Sequence, residues 1–255
     1  MINQHVWTTL PCTFDGGLAS RAAIGLLALA NDGVIESELR AFLGLDGVAV
    51  FVSRIKPIPD TMPPSLRMME DELPDGVGRL LPGKPLDVIA FGCTSGAMAI
   101  GSERVKAKIR GVRPGTPVTD PVSASLKAFA CLDVRRVALL TPYVDSVNEM
   151  VDTYLAEQGL RVIERGSFKQ TSETINRISE DDVARAGIEL GSRDVDALFI
   201  SCTGLRCSAV IETVERTIGK PVVASNQALA WDLLRLAGVK DPIAARGRLL
   251  AETAH

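Results

Sequence analysis

The sequence predicts an α/β fold of two similar lobes, each a four-stranded parallel sheet with helices on both faces, related by a pseudo-two-fold axis. Three observations predict it. Apolar runs rich in Val, Ile and Leu alternate with amphipathic stretches along nearly the whole chain, which is typical of α/β proteins. The runs are continuously apolar, as expected for parallel strands covered on both faces. The strand–helix unit occurs four times and then four times again, which indicates a duplicated half.

The apolar runs are the predicted strands, four in each half of the chain. They cover Ala22–Leu29, Val48–Ile55, Leu86–Gly92, Pro117–Asp120, Val137–Thr141, Arg161–Gly166, Val195–Ser201 and Pro221–Ser225. The stretches between them have the apolar spacing of amphipathic helices. In "SAVIETVERTIG", for example, Ser208 is the expected N-cap and Gly219 the expected stop.

The two halves also resemble each other in sequence. "RAAIGLLALANDGVIESEL" (Arg21–Leu39) resembles "RRVALLTPYVDSVNEMV" (Arg135–Val151), and "PVTDPVSASLKAF" (Pro117–Phe129) resembles "PVVASNQALAWDL" (Pro221–Leu233). We therefore predict an N-terminal lobe of residues 1–120 plus 228–255 and a C-terminal lobe of residues 121–227.

Composition and charge exclude several classes of partner. The 255 residues carry a net charge of −3 with acids and bases interspersed, which predicts no nucleic-acid or anionic-membrane surface. The longest apolar run, Ala22–Ala30, is about half the length of a membrane helix. We expect no signal peptide, because no basic region precedes an apolar stretch at the N-terminus. Five cysteines then indicate free thiols, and we expect a soluble cytoplasmic protein.

A Cys-Thr pair follows an apolar strand in each half of the chain. "FGCTSGAMAIG" (Phe91–Gly101) follows "LDVIA", and "ISCTGLRC" (Ile200–Cys207) follows "VDALF". Ligands of parallel sheets bind beyond the carboxyl ends of the strands, where the next helix begins. Cys93 and Cys202 should therefore face one another across one small substrate.

The residues after each cysteine suit an anionic substrate. Thr94, Ser95, Thr203 and Gly204 offer hydroxyls or backbone N–H groups near helix N-termini, where a carboxylate binds well. The same local field should lower the pKa of a thiol toward neutrality. A thiolate would then be available as base or nucleophile.

The remaining cysteines have no predicted role. Cys131 should be a small buried hydrophobe in the apolar helix "SASLKAFACL", Cys12 lies in an irregular arm, and Cys207 should turn away from the site. The only histidines, His5 and His255, lie at the two ends, and no Cys-x-x-Cys motif occurs.

Metals and cofactors are accordingly not expected. A metal site would need further ligands beside the two cysteines, and a Ser-His-Asp triad needs an internal histidine. The sequence has neither a Walker loop nor a G-x-G-x-x-G motif after a strand, so no nucleotide cofactor is indicated.

Four motifs carry a resemblance to a known superfamily. They are "GCTS" at Gly92–Ser95, "SCTGLR" at Ser201–Arg206, "LTPY" at Leu140–Tyr143 and "GKPVVASNQALAW" at Gly219–Trp231. With these motifs the chain resembles the aspartate/glutamate racemase superfamily. It is most similar there to the branch of maleate cis–trans isomerases, arylmalonate decarboxylases and ectoine-utilisation proteins. The resemblance covers roughly Arg21 to Val239.

The resemblance implies roles for particular residues. In the isomerases the first cysteine, here Cys93, adds to the double bond of a cis-enedioate, and the second, here Cys202, supplies and removes a proton. Tyr143 would lie near the nucleophile and the substrate, and Asn176 would bind a carboxylate. The resemblance also implies a homodimer that acts on a small carboxylate without a cofactor.

One turn departs from the family's pattern. The first strand of these proteins commonly ends in a Ser-Asn-Thr-type turn, whereas this chain has "LANDG". Either Asn31 or Asp32 then contacts the substrate. Asp32 would place a carboxylate against an anionic substrate and disfavour an unmodified maleate site. The stretch "LANDGVIESELR" is also closer to the ectoine-utilisation relatives.

Several of these residues also have purely structural interpretations. Tyr143 could cover a strand end and Asn176 could cap a helix. Arg206 could pair with a substrate carboxylate or face solvent, and Trp231 could belong to the core or to a dimer contact.

The leading functional hypothesis is a cofactor-independent isomerase that acts on a small dicarboxylate or an amino-acid-like acid. Cis–trans isomerisation and racemisation both suit two opposed thiols. A decarboxylase of malonate-type acids needs only the second cysteine, so the presence of Cys93 argues against it. A non-enzymatic acid-binding protein is the third alternative. Because small residues follow Cys93, whereas Leu205 and Arg206 follow Cys202, we expect Cys93 to be the more accessible thiol with the lower pKa.

Overall fold

The computed structural model describes residues 7–56, 60 and 62–252, so His5 and His255 lie outside the described residues. The strands are β1 (Ala22–Leu29), β2 (Val48–Ile55), β3 (Val88–Phe91), β4 (Val118–Thr119), β5 (Arg136–Thr141), β6 (Arg161–Ser167), β7 (Ala197–Ile200) and β8 (Val222–Ala224). The helices are α1 (Ile35–Phe42), α2 (Pro63–Met68), α3 (Leu73–Gly78), α4 (Thr94–Ile100), α5 (Ser102–Val112), α6 (Pro121–Cys131), α7 (Asp145–Glu157), α8 (Ser172–Ile175), α9 (Glu180–Gly191), α10 (Ile211–Ile218), α11 (Ser225–Leu236) and α12 (Arg248–Glu252). A 3₁₀ turn, Met69–Glu72, joins α2 to α3.

The strands of the described residues form two four-stranded sheets whose neighbours all pair in parallel. Their orders, β2-β1-β3-β4 and β6-β5-β7-β8, are the same order repeated. The predicted fold class is therefore confirmed. Each sheet is covered by helices, and β3 and β7 are fully buried, which explains why their sequences are apolar throughout.

The register of the sheets decides where the turns lie. Leu27 of β1 lies beside Phe91 of β3, and Leu140 of β5 lies beside Ile200 of β7. The neighbouring strands therefore end together, and the turns that follow them share one edge of each sheet. This is the edge at which parallel α/β sheets bind ligands.

The equivalent helices α6 and α11 pack against each other, and α11 also contacts α1. On α11 the buried Asp232 carboxylate accepts hydrogen bonds from Thr119 Oγ1 at 2.5 Å and from Lys127 Nζ at 2.7 Å. Lys127 belongs to α6 and Thr119 to β4, so this carboxylate links α11 to both of these elements. The lobe division at residues 120 and 228 stays a prediction.

Two details of the helices differ from the sequence prediction. Cys131 is exposed rather than buried, because it is the last residue of α6 and its side chain lies past the packed face. Helix α10 begins at Ile211 with Val210 as its N-cap. Ser208 is not the cap, because its hydroxyl donates to Glu38 Oε1 at 2.7 Å. Gly219 does end the helix, in the left-handed region at φ 72°.

In the part of the chain that the structure describes, no helix is both long and apolar enough to cross a membrane. The same residues contain no group of three or more His, Cys, Asp and Glu side chains that could hold a metal ion.

Candidate active site

A cavity of about 70 Å³ lies where the carboxyl ends of the two sheets meet. Cys93 and Cys202 both line it, although they follow strands of different sheets. It is also lined by Gly204 and by the polar residues Asn31, Asp32, Ser95, Tyr143, Ser172, Asn176 and Thr203. Among the described residues that line it, none is a lysine, arginine or histidine. The structure thus brings together all the predicted site residues except Thr94.

Cys93 is held at the start of a helix. It is the N-cap of α4 in extended conformation, and its Sγ accepts a hydrogen bond from the Gly96 N–H at 3.3 Å. Ser95 Oγ lies 3.8 Å from the same sulfur. A Cβ on Gly96 would lie 2.4 Å from Met69 Cε and 3.0 Å from Cys93 Sγ, so a larger residue here would require these side chains to shift.

Cys202 has an equivalent environment after β7. Its Sγ accepts a hydrogen bond from the Gly204 N–H at 3.3 Å. A Cβ on Gly204 would lie 2.9 Å from Asn176 Oδ1, so a larger residue here would require the asparagine side chain to shift. The duplicated fold therefore gives both sulfurs the same kind of donor.

Burial raises the pKa of both thiols. The pKa of Cys93 rises to about 11 and that of Cys202 to about 12, with the Asp32 carboxylate adding to both shifts. The expected lowering toward neutrality is wrong, because the hydrogen-bond donors compensate only part of the desolvation. Cys93 is not the more accessible thiol, with 5% of its surface exposed against 8% for Cys202.

Tyr143 brings a phenol into the cavity beside Cys202. Its hydroxyl hydrogen-bonds with Cys202, which lowers the pKa of that thiol, and it also contacts Ser95. Burial and the neighbouring thiols raise the phenol pKa well above its ordinary value. The Tyr143 carbonyl accepts hydrogen bonds from Ser167 Oγ at 2.6 Å and from Asn148 Nδ2 at 2.8 Å, so its backbone is fixed. The phenol is therefore a neutral donor inside the cavity.

Asp32, rather than Asn31, is the buried residue of the first turn. Asp32 Oδ1 accepts hydrogen bonds from the Val34 N–H at 2.7 Å and the Ile35 N–H at 2.9 Å. Asp32 Oδ2 accepts one from Thr203 Oγ1 at 3.2 Å. Burial raises the pKa of this carboxyl, and these hydrogen bonds oppose the rise. A carboxylate therefore lies in the wall of a cavity that was expected to bind an anion.

Asn31 and Asn176 form a contact at the mouth of the cavity. Asn31 is exposed, and its carbonyl accepts a hydrogen bond from Asn176 Nδ2 at 3.4 Å. Asn176 is the C-cap residue of α8 and also lines the cavity. It therefore lies both at a helix end and in the candidate site.

Other candidates point away from the cavity. Thr94 is not a lining residue, because its hydroxyl donates to Ser225 Oγ at 3.0 Å. Arg206 donates instead to the Ile178 carbonyl at 2.9 Å. Cys207 is buried and turned away, as predicted, and Trp231 is buried on α11. The correction for Thr94 follows from the helix start at that residue, which directs its side chain toward α11.

Sequence reasoning missed four residues of the cavity wall. They are Leu29, Leu66, Ser172 and Ile175. Leu29 ends a predicted strand and could have been found from that position. The other three come from short helices whose approach to the cavity depends on the tertiary fold.

Two buried thiols from equivalent strand ends, facing one cavity of a duplicated α/β fold, define a cysteine-dependent enzyme of small acids. Residues 80–250 match the family model of arylmalonate decarboxylase. The chain belongs to the arylmalonate decarboxylase family.

Curated relatives of two activities are similar to this chain. Arylmalonate decarboxylase of Bordetella bronchiseptica is 38% identical over 130 residues, which cover 49% of this chain and 53% of that enzyme. The aligned part thus spans about half of the decarboxylase. Maleate isomerase of Nocardia farcinica is 28% identical over 241 residues, 90% of this chain and 95% of that enzyme.

A solved structure has the same architecture. It is the Nocardia farcinica maleate cis–trans isomerase, a cysteine-to-serine mutant with a covalently bound succinylcysteine intermediate. The TM-score is 0.84 with 25% identity, covering 91% of this chain and 98% of that one. The expected place in the aspartate/glutamate racemase superfamily, in the branch of these two enzymes, is confirmed.

Proposed function

We propose that this protein is a cofactor-independent cis–trans isomerase of a small cis-enedioate-type acid, with Cys93 as nucleophile and Cys202 as acid and base. One observation carries the proposal: both sulfurs line the same cavity, from equivalent positions of two sheets. Similarity to maleate isomerase over 90% of the chain supports it.

The reaction requires Cys93 to be ionised while Cys202 carries its proton. The Cys93 thiolate adds to one alkene carbon, and Cys202 gives its proton to the other. The former double bond is then a single bond and can rotate. The Cys202 thiolate removes the proton again, the carbon–sulfur bond breaks, and the trans acid leaves with the Cys93 thiolate restored. No atom or electron is gained or lost, so no cofactor is needed.

The surrounding groups support these steps. The Gly96 N–H on Cys93 and the Tyr143 hydroxyl on Cys202 stabilise negative charge on sulfur. Ser95 and Asn176 can donate to a substrate carboxylate, because both line the cavity. Donors that are fixed before the substrate arrives are the usual source of electrostatic stabilisation in enzymes.

Decarboxylation of a malonate-type acid is the second candidate. The 38% identity to arylmalonate decarboxylase favours it. It would use Cys202 to protonate one face of the product and would leave Cys93 without a chemical role. Racemisation would use both thiols and form no covalent adduct.

Proton NMR in D₂O separates these candidates. We expect the alkene signals of a cis-enedioate to be replaced by those of the trans isomer. Loss of a carboxyl group would instead indicate the lyase, and exchange of α-protons of amino acids the racemase.

Cys93→Ser and Cys202→Ser should each lower kcat by at least ~10². The control variants Cys12→Ser and Cys131→Ser, at exposed thiols, should retain activity.

We propose further that the protein acts in the cytoplasm as a homodimer. Five free cysteines support a reducing compartment.

Exposed apolar side chains support the dimer. Trp7 and Phe14 are each 93% exposed, and Val52 of the sheet-edge strand β2 is 38% exposed, which supports a contact with a second copy. Sedimentation velocity should give the mass of a dimer; a monomer at micromolar concentration would contradict this.

A further inference from the structure

We propose that the site takes a monoamide of a cis-enedioate in preference to the dicarboxylate, with the amide N–H₂ of the substrate donating to Asp32. This inference rests on the proposed isomerase function and names its substrate class. The maleic acid monoamide, maleamate, is the simplest compound of this class.

The hydrogen bonds of Asp32 favour its ionised form. Two backbone N–H groups and the Thr203 hydroxyl all donate to its carboxyl oxygens. A carboxylate can accept all three, together with a further donor, whereas a protonated acid loses acceptor capacity. A substrate group that approaches Asp32 must therefore supply a hydrogen and must not carry a negative charge.

Among the residues that the structure describes, none that lines the cavity is a cation able to offset a second carboxylate. The described lining residues include neither lysine nor arginine. The guanidinium of Arg54 lies behind the turn, where it donates to the carbonyls of Leu29 and Asp32. It also pairs with Glu36. A dianion would therefore bring two negative charges to a wall that already holds one.

The other side of the cavity suits the single carboxylate that remains. Ser95 and Asn176 both line it and carry donor groups. Asn176 Nδ2 makes only a 3.4 Å contact with the Asn31 carbonyl, so a substrate oxygen can replace it. A monoamide thus meets donors at its carboxylate end and an acceptor at its amide end.

The test compares maleamate with maleate in the wild type, Asp32→Asn and Asp133→Asn. Asparagine at 32 retains an oxygen for the Val34 and Ile35 N–H groups. Asp133 is a matched control, because its side chain is 93% exposed and it precedes β5, at the opposite edge of the sheet. Its φ of 51° is one that asparagine also adopts.

We expect the wild type and Asp133→Asn to have kcat/KM at least ~10-fold higher for maleamate than for maleate. Asp32→Asn should lower that ratio at least ~10-fold, mainly by gaining activity on maleate. A wild type that prefers maleate, or an Asp32→Asn protein with an unchanged ratio, overturns the proposal.

Binding of unreactive analogues separates this proposal from the proposed function. Succinamate and succinate have the same end groups but no double bond, so calorimetric titration measures their affinity whether or not isomerisation occurs. Tighter binding of succinamate, reversed in Asp32→Asn, supports the amide subsite even if neither alkene is isomerised. Tighter binding of succinate by the wild type contradicts it.

Discussion

Cys93 and Cys202 show that hydrogen-bond donors compensate only partly for the burial of a thiol. Each sulfur accepts a hydrogen bond from one glycine N–H at 3.3 Å, yet the pKa values lie at about 11 and about 12. Both thiols are therefore protonated at neutral pH. The reactive pair with one proton forms only when one thiol ionises.

This protonation state predicts the pH dependence of the reaction. Because ionisation of the first thiol has a pKa of about 11, kcat/KM should rise with pH from neutrality up to the alkaline limit of protein stability. The slope of log kcat/KM against pH should be near one per unit. A plateau of kcat/KM already reached at pH 7 would contradict the raised pKa values of the two thiols.

The ionisation of Asp32 should make the stability of the protein depend on pH. Its pKa is raised in the folded protein by burial, so the folded state holds the proton more tightly than the unfolded state. Its contribution to stability is then complete below the unfolded pKa and is lost as the pH rises through the folded pKa.

Asp32→Asn should accordingly increase the free energy of unfolding at pH 7, and the gain should shrink as the pH falls toward 3. Urea unfolding of both proteins at several pH values measures this difference. A gain that is independent of pH would show that the carboxylate charge is not its cause.

At the scale of elements, Glu38 joins α1 to the loop that follows β7. Its carboxylate accepts hydrogen bonds from the Cys207 N–H at 2.9 Å, the Ser208 N–H at 3.0 Å and the Ser208 hydroxyl at 2.7 Å. The two segments are far apart in sequence and follow strands of different sheets. This carboxylate therefore holds the loop that contains Cys202 against α1.

Glu38→Ala should lower the free energy of unfolding by roughly 2–4 kcal/mol, because it leaves buried N–H groups without an acceptor. Ser37→Ala, at an exposed position of the same helix, should change it by less than about 0.5 kcal/mol. Denaturant titration gives both values. Equal effects of the two substitutions would show that the Glu38 contacts do not stabilise the fold.

Most strands could be predicted because they are continuous apolar runs, whereas β6 has the mixed sequence "RVIERGS". The runs proposed for β1 and β2 match the structure residue for residue, and the others differ at their ends. Side-chain direction at a turn could not be predicted in the same way. Thr94 and Ser95 are adjacent, but only Ser95 lines the cavity. The prediction of lowered thiol pKa values was also wrong, because burial raises them and burial is a property of the assembled fold.

At the scale of the whole molecule, duplication explains the site. Repeating one strand order produces two equivalent turns, and each contributes one cysteine to a shared cavity. The surroundings then differ between the halves, since Tyr143 hydrogen-bonds with Cys202 and Ser95 contacts Cys93. A symmetrical fold thereby gives two chemically different thiols.

In the proposed reaction, Cys93 bonds to the substrate and Cys202 moves the proton. Intact-protein mass spectrometry of Cys202→Ser, incubated with maleamate and with maleate and followed by peptide mapping, tests it most directly. We expect the mass to increase by one substrate molecule, located on the peptide of Cys93, and no increase in Cys93→Ser. An adduct on Cys202 in the Cys93→Ser protein, or isomerisation by a protein that lacks Cys93, would contradict the account.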